Sequence, residues 1–199
     1  PEKTLNPEVK SQPQPDRVTV DTEQVEGMAE QVEKERLELL LQELQNKVEE
    51  NQELKKFKDQ ILFEITQDGL RIQIMDADNR PMFDSGSANL LPHTKDILHE
   101  MGKMFNDVPN RLSVSGHTDA TPYVGGERGY SNWDLSADRA NAARRELLAG
   151  GMQDQKILRV VGLGSANPLD KQNAVNPINR RIAIVVLNKQ SEEIGRAHV

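Results

Sequence analysis

A chain of 199 residues with 36% hydrophobic and 4% aromatic content is too polar to be packed throughout, so one domain-sized core plus an extension is expected. The absence of cysteine excludes disulfides and thiolate metal sites, and no apolar run reaches the length of a membrane-spanning helix. The net charge of −7 is uneven: residues 1–20 hold three acids and three bases, residues 21–60 twelve and six, and residues 61–199 seventeen and sixteen. The acidity thus belongs to one segment, and the basic footprint of a nucleic-acid binder is absent.

Residues 1–20 carry Pro1, Pro7, Pro13 and Pro15 among Lys, Gln and Ser. Such a stretch cannot bury enough surface to offset its ordering entropy, and a flexible linker is expected. Asp21 and Thr22 can cap a long acidic helix over residues 22–59, with Val25, Met28, Val32, Leu37, Leu40, Leu41, Leu44, Val48, Leu54 and Phe57 at helical spacing. At about 1.5 Å per residue it would span roughly 55–60 Å if straight. Its heptad slips at Glu35, Asn51 and Lys55. Two uses stay open: packing partly on its own domain, or self-association through Leu37–Val48.

Residues 61–66 and 70–75 alternate around Gln67-Asp68-Gly69, a hairpin signature. A loop over 79–91 precedes a helix from Pro92 to about Asn106, with Ile97, Leu98, Met101, Met104 and Phe105 on one side and His93 and His99 exposed. Strands follow at 111–117 and 157–163, with a helix over 132–149 between them that ends at Gly150-Gly151. Its alanines, Ala137, Ala140, Ala142 and Ala143, allow close packing on a sheet. A polar loop over 164–177 leads to a last strand, Arg180 to Leu187, apolar on both faces and so central. This order predicts an α+β sandwich, a mixed sheet with helices on one face. Gly195 to Val199 has no structural pattern; with Pro1 at the start, the chain reads as an expressed fragment whose residues 191–199 are a disordered tail or cloning scar.

The stretch 114–145 concentrates the chemistry. A strand ends near His117, a Gly- and Thr-rich loop follows, and a helix restarts behind Ser131, Asn132 and Asp134, all capping types. Asp119 and Arg139 lie 20 positions apart, but a strand–loop–helix return can bring them to one rim. There they could grip a zwitterion, ammonium on Asp119 and carboxylate on Arg139, or simply pair with each other. His117 with Asp119 lacks a third metal ligand, and Ser115 or Ser136 near His117 lacks a nucleophile-elbow context, so a binding protein is expected rather than an enzyme, without metal or cofactor.

Gly116-His117-Thr118-Asp119, Asn132-x-x-Leu135-Ser136-x-x-Arg139-Ala140, Gly162-Leu163-Gly164 and Asn179-Arg180-Arg181-Ile182 resemble, in that order, the signature of OmpA-like peptidoglycan-binding domains over residues 61–188. Thr121-Pro122-Tyr123 and Tyr130-Ser131-Asn132-Trp133, in an enlarged loop, are similar to the stator B-subunit branch of that family. The resemblance implies an OmpA-like two-layer sandwich over 61–190. It also implies a site for the diaminopimelate of the peptidoglycan stem peptide, formed by Thr118, Asp119, Asn132, Leu135, Arg139 and one of Arg180 and Arg181. The loop with Asp84, Ser87 and Ala88 would be a second wall. Finally, it implies a periplasmic portion of an inner-membrane-anchored homodimer that meets a channel-forming stator A subunit upstream. The alternative is a dimerisation module with weak or conditional wall binding.

Overall fold

The computed structural model describes residue 19 and residues 21–124 and 129–197. Of the linker expected over 1–20, all but Thr19 and the Asp21 boundary lies outside the described residues, as do residues 198–199.

Helix α1 (Thr22–Glu50) starts where Asp21 accepts a hydrogen bond from the Glu23 amide at 3.1 Å. It stops earlier than its periodicity implied. Asn51 is extended, and its Oδ1 accepts from the Glu53 and Leu54 amides at 3.0 and 3.3 Å, starting the short helix α2 (Gln52–Lys55). The asparagine side chain offers the backbone an alternative to continued helix, which the apolar spacing cannot reveal. Leu37, Leu40, Leu44 and Val48 are buried in the core of their own domain. The seam proposed for self-association is therefore already occupied. Before Leu37 the helix stands off: Val25, Met28 and Val32 are exposed. A cleft of about 940 Å³ lies between these turns, the first hairpin and the C-terminal segment.

The sheet contains β1 (Ile61–Thr66), β2 (Gly69–Met75), β3 (Leu112–His117), β4 (Ile157–Gly162) and β5 (Arg181–Leu187), in the order β1-β2-β5-β3-β4. β3 and β4 are parallel and the other neighbours antiparallel. β5 lies between β2 and β3, so both its edges are paired, as its two apolar faces implied. The register sets Leu70, Ile72 and Ile74 beside Val186, Ile184 and Ile182, and these beside Leu112, Val114 and Gly116. That row is the floor of the core. Helices α1, α3 (Pro92–Met104) and α4 (Asn132–Ala149) cover it with Leu40, Leu44, Ile97, Leu98, Met101, Ala140, Ala143 and Leu147. The opposite face carries Arg71, Gln73, Ser113, Ser115, His117 and Arg181.

Two details depart from expectation. Residues 191–197, expected to belong to a disordered tail or cloning scar, instead lie in helix α5 (Lys189–Ala197), packed against β4 and β5. Asn188 Oδ1 accepts from the Ser191 amide at 2.9 Å, and Arg196 pairs with Glu192 at 2.6 Å, local supports that a low apolar content hides. His93 and His99 are also engaged: the His93 ring stacks on Phe57 at 4.6 Å, and His99 Nε2 meets Glu146 Oε2 at 2.6 Å.

The helical seam makes a direct prediction. Leu44→Ala should lower unfolding stability by about 2–5 kcal/mol, whereas Met28→Ala should stay within about 0.5 kcal/mol, as read from urea denaturation.

Candidate functional site

Three sequence segments converge where β3 ends. A Cβ on Gly116 would fall 2.0 Å from the Ser136 carbonyl oxygen, and one on Gly162 would fall 2.5 Å from the Ala137 amide nitrogen. These glycines are register partners on β3 and β4. Lacking side chains, they let the first half of α4 settle onto the strand backbones. Ser136, fully buried, clips the contact: its Oγ donates to the Trp133 carbonyl and accepts from the Gly164 amide, both at 2.9 Å. The Gly164 carbonyl in turn accepts from the Thr118 amide at 2.9 Å.

Asp119 follows this clip and is buried. Its Oδ1 accepts from the Thr121 amide at 2.8 Å, and its Oδ2 accepts from Arg180 Nη1 at 2.6 Å. Arg180 also donates through Nε to Asp76 Oδ2 at 2.8 Å, while Asp76 Oδ1 accepts from the Met82 amide at 2.8 Å. One guanidinium thus bridges two buried carboxylates from the ends of β2 and β3. Burial works against its charge, but the hydrogen bonds and charges of Asp76 and Asp119 prevail and hold Arg180 above its usual pKa.

Arg139 stands on the second turn of α4 and is buried. It does not pair with Asp119 and makes no ion pair among the described residues. Its guanidinium lies 4.8 Å from the centre of the Phe83 ring and donates from Nε to the Ser87 carbonyl at 2.8 Å, with a longer contact of 3.5 Å to the Asp84 carbonyl. Burial lowers its pKa, partly offset by Asp76 and by the more weakly acting Tyr130 and Asp119. The loop with Asp84, Ser87 and Ala88 therefore does border Arg139, and Tyr123 Oη closes on the Gly86 carbonyl at 3.2 Å. Asp76, Asp119, Arg139 and Arg180 sum to zero charge, and among the described residues Arg139 meets no carboxylate.

The remaining expected residues fall into place differently. Asn132 donates to the Thr121 carbonyl at 2.8 Å and ties the helix start to the loop, and Leu135 is buried beneath it. Thr118 Oγ1 is buried and meets no hydrogen-bond partner among the described residues. Arg181 turns to the opposite face, where it bonds Gln73 Oε1 at 2.7 Å and the Asn167 carbonyl at 2.9 Å; Arg180 is the one that reaches the site. His117 also faces that side, 3.1 Å from Ser115 Oγ. The strand ends at His117, so strand alternation does not set His117 and Asp119 on one side. Among the described residues no group of three His, Asp or Glu is placed to hold a metal ion.

A model of the OmpA family matches residues 82–181. The chain belongs to the OmpA family. It is 46% identical over 169 residues to Motility protein B of Escherichia coli strain K12, covering 85% of this chain and 55% of that protein. It is 29% identical over 156 residues to Motility protein B of Bacillus subtilis, covering 77% and 58%. The chain thus spans about half the length of these curated relatives. The periplasmic domain of Helicobacter pylori MotB superposes with a TM-score of 0.57 at 20% identity, covering 72% of this chain and 88% of that one. The cell wall anchor of the T6SS from Pseudomonas aeruginosa gives 0.58 at 22%, covering 73% and 97%. These two likenesses establish the fold.

Within this OmpA-family domain, two residues that shape the site were not among the expected site residues. Asp76 had one available signal, an acid directly after a strand; Asp119 lies two residues past β3. Asn179 is fully buried and accepts from the Asp170 amide at 2.8 Å while donating to the Asn173 carbonyl at 3.0 Å, shaping the loop beside Ala120.

Two measurements check the electrostatics. Arg180→Ala leaves two buried carboxylates without their cation and should cost roughly 2–4 kcal/mol in unfolding stability. His117 is pushed down to about 4 by burial and by the charges of Arg181 and Arg71. Between that value and 6.5, the unfolded chain binds a proton that the folded chain refuses, so this contribution is full above pH 6.5 and is lost as pH falls towards 4. Urea titrations at pH 7 and 4.5 should show His117→Gln losing less stability on acidification than the parent, by about 2–3 kcal/mol.

Proposed function

We propose that this domain is a non-catalytic peptidoglycan binder that anchors a flagellar motor stator unit to the cell wall. The observation that carries the reading is a buried Arg139 that meets no carboxylate among the described residues, beside the Asp119–Arg180–Asp76 bridge. The distal centre of diaminopimelate is an amino-acid zwitterion. Its carboxylate meets the Arg139 fork, and its ammonium approaches Asp119, sharing that carboxylate with Arg180. A site neutral overall but locally split in charge favours a zwitterion over a polyanion. Likeness to Motility protein B supports the motor assignment. On that reading the domain is periplasmic, belongs to an inner-membrane-anchored protein, and meets a channel-forming stator A subunit through a segment upstream of this chain.

Helix α1 would control reach. Its turns before Leu37 are not packed on the core, and Glu33 Oε1 holds them by accepting from Asn110 Nδ2 and the Lys189 amide, both at 2.9 Å. A homodimer would use the exposed stripe Val25, Met28, Val32 and Leu39 rather than the buried seam. Val32→Asp should then abolish association in sedimentation velocity.

Pelleting with purified peptidoglycan sacculi tests the anchor. Asp119→Ala and Arg139→Ala should each lose roughly 2–5 kcal/mol of binding and stay soluble while the parent pellets. Equal pelleting of all three would refute the clamp. Removing residues before Leu37 should leave the core intact and raise binding if α1 restrains the site; unchanged binding would remove the helix from the mechanism.

A further inference from the structure

Beside the charged cluster, the same end of the sheet exposes an apolar rim. Trp133, the sole tryptophan of the chain, is 57% exposed, and Val175 is 56% exposed. The backbone of Trp133 is anchored on both sides while its indole stands exposed. The Trp133 amide donates to Ser131 Oγ at 3.3 Å, and its carbonyl accepts from Ser136 Oγ at 2.9 Å. The indole rests against Gly164, where a Cβ would lie 3.3 Å from Cδ2 and 3.5 Å from Cε3 and where φ is +52°. Glycine there allows both the left-handed turn and the contact. Gly164 also bonds the Thr118 amide, one residue from Asp119. Val175 sits on the loop whose Ala174 carbonyl accepts from the Ala120 amide at 2.9 Å. The indole therefore adjoins the charged site through shared backbone.

A rigid aromatic surface beside a charged clamp divides a composite ligand by chemistry. The clamp takes the ionised stem peptide. A flat π surface takes neutral C–H bonds, and the C–H face of a pyranose ring matches it in size and polarity. A tryptophan side chain has only two rotatable bonds, so ordering it on contact costs little entropy. We propose that Trp133 is a platform for a sugar ring of the glycan strand, a second subsite beside the charged one. This rests on the peptidoglycan reading of that site, and it assigns the neutral polymer backbone to a different residue.

The single indole makes the test direct. Two probes are added separately to the full chain: glycan strands freed of peptide by an amidase, and a free stem tripeptide ending in diaminopimelate. Glycan strands should shift Trp133 emission to the blue and shield it from acrylamide, in the parent and in Arg139→Ala alike. The tripeptide should bind the parent and Trp133→Ala equally by calorimetry and fail with Arg139→Ala. Trp133→Ala should weaken sacculus pelleting about five- to tenfold, and Trp133→Phe should recover most of it. An emission unmoved by glycan strands, with tripeptide binding intact, overturns the platform and leaves the clamp. Emission that moves only with the tripeptide, or only as protein concentration rises, assigns the indole to peptide or to a second copy and also overturns it. If glycan moves the emission and the tripeptide does not bind, the clamp fails and the platform stands.

Discussion

The site depends on one steric constraint: α4 approaches the backbones of β3 and β4 so closely that no side chain fits at Gly116 or Gly162. Everything else is carried by that approach. It buries Ser136 where its hydroxyl can join two main chains, and it brings Arg139 to the end of the sheet at which Asp119 and Arg180 meet. It also delivers Trp133 onto Gly164. Alanines at 137, 140 and 143 serve the same end, since larger groups would lift the helix away.

The electrostatic arrangement follows from the same geometry. Buried carboxylates need compensation, and Arg180 supplies it to both Asp76 and Asp119. Among the described residues, that leaves Arg139 compensated by carbonyl oxygens and the Phe83 ring rather than by an acid. A buried cation satisfied by weaker partners gains most from an incoming carboxylate, which is why its location matters more than the number of charges nearby.

Helix α1 has two halves with different physics. From Leu37 onward it is core, capped at Asn51 and sealed with the sheet; before Leu37 it is held chiefly by Glu33. Such an element can shift at its start without loss of the domain fold, because few apolar contacts oppose the shift.

Local patterning determined much of this protein. The Asp68-Gly69 hairpin, the Pro92 start of α3, the central β5 and the cap at Ser131 were legible because each depends on neighbours within a few residues. That Asp119 and Arg139 come to one rim was legible from their places, one just past a strand and the other on the helix that follows. What tertiary structure decided was pairing. Whether Arg139 or Arg180 takes Asp119, which of two adjacent arginines faces the site, and whether Leu37–Val48 meets its own sheet or another chain depend on residues distant in sequence. The Arg180–Asp76 bond joins positions 104 apart. Side-chain period gives a face, but only the packed sheet and helix say what lies opposite it.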